Sequence, residues 1–127
     1  MHQFSFSEFM VEGGPGMWPI MLFGLVCLGG AVRFATRPNR RWLGFAGAMW
    51  LTVVTAVLHT TLMDVTSVMS AISDPDIPAA DRRVMLTAGL KESFRPGALG
   101  GIFLTLGALA LAVGALRAPP AADQTGA

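Results

Sequence analysis

Residues 42–74 read WLGFAGAMWLTVVTAVLHTTLMDVTSVMSAISD, and this stretch decides the fold. It holds no proline, carries its two glycines near the start, and stops at Pro75. From Trp42 to Met63 there is no acidic or basic charge and the residues are mostly apolar. A run of ~20 such residues crosses a ~30 Å hydrocarbon core. Beyond Met63 the helical pattern continues, with Val65, Met69 and Ile72 at 3–4 spacing and Asp64, Ser67 and Ser70 off that line. One helix is expected to span the membrane and then project from it.

Two further apolar segments flank this helix, Met17–Thr36 and Gly97–Leu116, and both are expected to pack against it. The 127 residues are 53% apolar and only 13% charged, with mean hydropathy +0.57. A soluble domain carries about 25% charged residues. The charges that remain sit in the connecting segments, as in a polytopic membrane protein. The expected fold class is all-α, with three transmembrane helices. The second is prolonged beyond the bilayer and pairs with an extension of the third. Residues 1–16 form an N-terminal interfacial segment, 17–117 the three-helix domain, and 118–127 a disordered tail. The net charge of +1 gives no reason to expect a nucleic-acid partner.

The first twelve residues lack a basic n-region, and no A-x-A-like site follows the first apolar run, so that run is expected to be retained as a span. Residues 3–10 suit a short interfacial helix: Ser5 and Glu8 have capping-box spacing, and Phe4, Phe6, Phe9 and Met10 supply apolar surface. Gly13-Gly14-Pro15-Gly16 then breaks the chain, Trp18 anchors at the interface, and Pro19 falls in a first helical turn.

Orientation follows from arginine. Arg33, Arg37, Arg40 and Arg41 crowd the shortest loop without an acid, so that loop is expected on the cytoplasmic side. The N-terminus then lies outside and the C-terminus inside a bacterial inner membrane, and Arg117 agrees. The segment from Asp64 to Arg95 has five acids and four bases, with no comparable bias.

Thr52, Thr55, His59 and Thr66 share one face of the second span. Two readings stand. The threonines bond their own i−4 carbonyls while His59 sits at the outer headgroup level, or the stripe lines a pore or an inter-helix contact. Pro75, Asp76 and Pro78 make the outer turn, and Asp81 to Phe94 resumes a helical pattern. Pro96 cannot bond the carbonyl of Glu92, which predicts a kink, and Glu92 and Arg95 are spaced to pair. In the third span Gly100, Gly107 and Gly114 repeat every seven residues, and Gly97 and Gly101 are four apart. Such glycines let helices approach closely, within one chain or between copies.

Catalytic and metal-binding patterns are absent: no phosphate loop, no paired His/Cys spacing, no nucleophile elbow. Only His2 and His59 are present, and Cys27 and the eight methionines suit packing better than copper. Neither an enzyme nor a cofactor is expected.

Two stretches carry a resemblance. Glu12-Gly-Gly-Pro-Gly-Met-Trp-Pro-Ile-Met-Leu22 is similar to the entry of the first span in the ExbB/TolQ/MotA proton-channel family. Leu86-Thr-Ala-Gly-Leu-Lys-Glu-Ser-Phe-Arg-Pro-Gly-Ala-Leu-Gly-Gly101 resembles that family's entry to its third span, with Gly89, Glu92, Ala98 and Gly100 matching. His59-Thr-Thr-Leu-Met-Asp and Met69-Ser-Ala-Ile can be laid on its second-span motifs, which puts Thr61 at the family's threonine. About 80 residues are covered, by order and spacing more than by any one motif. The family's large cytoplasmic domain is replaced here by Arg33–Arg41, its third-span threonine falls on Gly97, and the glycine after its second-span threonine falls on Asp64.

The resemblance implies a homo-oligomer working with a single-span partner of the ExbD/TolR type. Glu92 is then the lumenal carboxylate, and Thr61, His59 and Asp64 are further polar contacts of a proton path. The alternative is a non-conducting scaffold that keeps the helical frame alone.

Overall fold

The computed structural model describes residues 5–120, and within them the secondary structure is helical throughout. The expectations for residues 1–4 and for 121–127 of the tail lie outside the described residues. Five helices follow one another: α1 (Phe6–Glu12), α2 (Met17–Thr36), α3 (Arg40–Ile72), α4 (Ala79–Ser93) and α5 (Arg95–Arg117). Three helical stretches are long and apolar enough to cross a membrane: α2, α3, and α4 taken together with α5.

Each boundary has a local cause. Asn39 caps α3, its side-chain oxygen accepting from the backbone N–H of Arg41 at 3.0 Å. No proline interrupts the next 33 residues, so α3 runs on to Ile72. The turn that follows is held by Arg82, whose guanidinium donates to the carbonyls of Asp74 and Ile77, each at 3.0 Å. Helix α4 ends at Ser93, because Pro96 cannot donate to the carbonyl of Glu92. The interruption predicted at Pro96 thus falls at Phe94, and Pro96 itself lies buried in the first turn of α5.

Helix α2 is the hub. Its buried residues include Ile20, Cys27 and Phe34, seven apart, and they meet Gly100, Gly107 and Gly114 of α5 in the same order. A seven-residue repeat on both partners keeps two parallel helices in register over several turns. The exchange is reciprocal, since Gly24 of α2 receives the ring of Phe103 from α5, while Gly30 receives Phe45 from α3. At Gly24, Gly30 and Gly114 a ring occupies the space that a side chain would take. That dispersion contact is the main attraction left between helices in lipid. The third-span repeat is therefore used inside the chain. Gly97 and Gly101 differ: a Cβ on either would meet nothing within 4 Å, so neither packs against another part of this chain.

Two polar contacts cross the apolar layer. The indole N–H of Trp50 donates to the carbonyl of Leu104 at 3.1 Å, and the Cys27 thiol donates weakly to the carbonyl of Ala46 at 3.9 Å. Cys27 is fully buried, as a packing residue should be.

Gly16, just before α2, touches Thr60 of α3. Past that level α3 continues twelve residues to Ile72 with no α2 beside it. Helix α4 lies against this tail instead, Gly89 receiving Val68.

Candidate functional site

Antiparallel threading sorts the charges to opposite ends. Arg33, Arg37, Arg40, Arg41 and Arg117 gather at one end with no acid beside them among the described residues. Glu8, Glu12, Asp64, Asp74, Asp76, Asp81 and Glu92 all lie at or beyond the other, together with Arg82, Arg83, Lys91 and Arg95. The first is called the arginine end here, the second the acidic end.

At the acidic end a cavity of about 220 Å³ opens between α1, α3 and α4, lined by Glu12, Asp64, Ser67, Gly89, Glu92 and Ser93. Three elements deliver its three carboxylates. Asp64 stands one turn past Thr60 on α3, and Glu92 is the last residue but one of α4, two before the break at Phe94. Glu12 ends α1 and is turned inward by the Gly13-Gly14 bend. Gly14 has φ +77°, a left-handed conformation that suits glycine, and Gly13 is packed against Met17. Ser93 is buried, and its hydroxyl donates to the carbonyl of Gly89 at 2.8 Å.

Glu12 is not among the candidates that the sequence singles out; its partner Arg95 is, but as the partner of Glu92. Arg95 pairs with Glu12 at 2.5 Å, and its guanidinium carbon lies 5.9 Å from the Phe9 ring centre. The predicted Glu92–Arg95 pair does not form. Those residues flank the break at Phe94, so the helical i, i+3 register that would join them is interrupted. A signal for the observed pair existed: antiparallel spans bring residues 12, 64 and 95 to one level, and Glu12 is the acid nearest α2. The Ser5–Glu8 capping box is not formed either; the Ser5 hydroxyl bonds that of Ser7 at 2.8 Å, and α1 starts without a side-chain cap.

Of the four sequence candidates, Asp64 and Glu92 are brought together, while Thr61 and His59 line a different part of α3 or none. His59 is exposed and shares a shallow concavity with Leu51, Thr52, Thr55 and Ala56. Thr61 lines neither space. The threonine hydroxyls donate to their own helix: Thr52 to Ala48 at 3.0 Å, Thr55 to Leu51 at 2.9 Å, Thr66 to Leu62 at 2.7 Å. The stripe is thus satisfied locally, and His59 stands beside the Gly16–Thr60 contact at the first span's start.

Among the described residues no cluster of His, Cys, Asp and Glu could hold a metal ion. Of the three carboxylates that line the cavity, Glu12 is paired with Arg95. What they offer chemically is a negatively charged recess at the mouth of the helices. Neither a protein-family model, nor a curated protein, nor a solved structure matches this chain.

Proposed function

We propose that this chain is a membrane-embedded subunit of a homo-oligomer that passes protons, of the ExbB/TolQ-like kind the sequence resembles. The observation that carries the reading is the meeting of Asp64, Glu92 and Glu12 in one recess at the ends of the spans. A carboxylate-lined mouth raises the local concentration of cations before they enter a low-dielectric path. With α3 and α5 packed on α2, one chain encloses no lumen among the described residues, so a path needs neighbouring copies. Helix α3 supplies the face for it, since its Thr52, Thr55 and His59 side is uncovered. An imidazole there carries one nitrogen that donates and one that accepts, so it can hand a proton along a path. In this reading α3 beyond Met63 and α4 stand outside the bilayer as a helical pair at the recess, with the N-terminus outside and the C-terminus inside.

A second reading, a non-conducting scaffold, rests on the threonines. Their hydroxyl protons are committed to backbone carbonyls, leaving only lone pairs for a passing ion.

Proton flux separates the two. Protein reconstituted in liposomes with a pH dye inside, under an imposed potential, is expected to conduct above empty vesicles, and Glu92→Gln or His59→Leu to reduce that flux several-fold. Flux at the empty-vesicle level, with and without a co-reconstituted single-span partner, removes the channel reading and leaves the scaffold.

A further inference from the structure

We infer that the arginine end holds a binding site for one anionic phospholipid, its phosphate on Arg40 and its acyl chain along Leu43 and Pro119. A space of about 520 Å³ lies there, between the α2–α3 loop and the end of α5, with Phe34, Pro38, Leu43 and Pro119 as apolar walls and Arg40 at its rim. The site is distinct from the acidic recess and does not depend on proton passage.

Three observations converge on this ligand. First, the charge is uncompensated: five arginines meet no acid at this end among the described residues. Second, the arginines divide into two groups. Arg117 donates to the carbonyl of Ala35 at 3.0 Å and Arg33 lies 5.9 Å from the Trp42 ring centre, so both are held by the protein. The guanidinium groups of Arg37, Arg40 and Arg41 have no hydrogen-bond or ion-pair partner among the described residues. Third, the walls are wrong for a small soluble anion. A free phosphate would leave the exposed Leu43 and Pro119 facing water, whereas a lipid places its chain on them and its phosphodiester against the guanidinium. Arginine matches that group with paired donors. Basic pockets between helices at a membrane surface recognise anionic headgroups in this way.

The test uses the full chain purified in mild detergent, with native mass spectrometry as the readout. Phosphatidylglycerol is expected to be retained at least tenfold better than phosphatidylcholine of the same acyl length. Arg40→Gln should weaken that retention about fivefold, from the ~1 kcal/mol a basic residue contributes near an anionic surface. Arg83→Gln, at the acidic end, should leave it unchanged. Leu43→Trp, which fills the groove, should reduce retention of the lipid while keeping every charge. If Arg40→Gln does not fold, as judged by its melting in detergent, Arg40→Lys takes its place with a smaller loss expected. Equal retention of the two lipids overturns the site, as does an Arg40 variant indistinguishable from Arg83→Gln. Displacement of the lipid by millimolar inorganic phosphate would also overturn it, since the pocket would then be reading a bare anion.

Discussion

At Gly114 the contact between α2 and α5 leaves no room for a methyl group: a Cβ would enter the ring of Phe34 and lie 3.2 Å from the Cα of Ala35. Backbone cannot yield as a side chain can. Gly114→Ala is therefore expected to destabilise the chain by about 1–3 kcal/mol, the usual cost of overpacking, read as a lower melting temperature in detergent. Gly107, seven residues earlier, is different, because its nearest neighbours would be the Cys27 sulfur at 3.5 Å and Trp50 at 3.7 Å. Those are ordinary contacts, so Gly107→Ala should be neutral or slightly stabilising, given alanine's better helix propensity. A melting temperature that falls equally for both would contradict the contact assigned here. The repeat of glycines was legible in the sequence, since spacing alone reveals a stripe. Their inequality was not, because it depends on whether a ring, a thiol or open space lies opposite. Trp50 adds a polar case: Trp50→Phe removes the donor to Leu104 and should cost about 1 kcal/mol.

Helices α1 and α4 show how elements are attached to the three-helix frame. Seven residues are too few for a helix to persist alone, so α1 depends on what holds it. Met10 is buried with Met17, Ile20 and Leu99, whereas the Glu12–Arg95 pair is partly open to solvent. Exposed pairs contribute about 0–1 kcal/mol, and burial of a methionine side chain about 1.5–3 kcal/mol. Met10→Ala should therefore release α1, seen as rapid hydrogen exchange over residues 6–12, while Glu12→Gln should leave its protection nearly intact. The reverse order would mean that the ion pair holds α1. At this scale the sequence was most readable: the unbroken run of α3 follows from the absence of proline, and the stop before α5 follows from Pro96. The partner of Arg95 was not readable, because the choice between Glu92 and Glu12 turns on a one-residue interruption at Phe94 and on a tertiary contact across 83 positions.

Over the whole molecule the governing feature is the separation of charge along the helix axes. Five arginines occupy one end, and every described acid lies at or beyond the other. This asymmetry underlies the proposed orientation, since basic loops are retained on the cytoplasmic side. It also sets the sites apart, with a carboxylate recess at one end and a lipid pocket at the other. The uncovered Thr52–His59 face of α3 belongs to this scale too. With Thr52 and Thr55 satisfied within α3, the exposed imidazole of His59 is the group on this face that calls for protein or water beside it, so cross-linking through Thr55→Cys should give dimers in native membranes, and Ala110→Cys should not. Dimers from both positions or neither would remove α3 as the contact face. The most direct measurement for the account as a whole is labelling with a membrane-impermeant maleimide, in a Cys27→Ala background, of Asn39→Cys and Asp76→Cys. The residue-76 variant is expected to be labelled in intact spheroplasts and the residue-39 variant only after lysis. Labelling of residue 39 from outside, or of both positions without lysis, would contradict it.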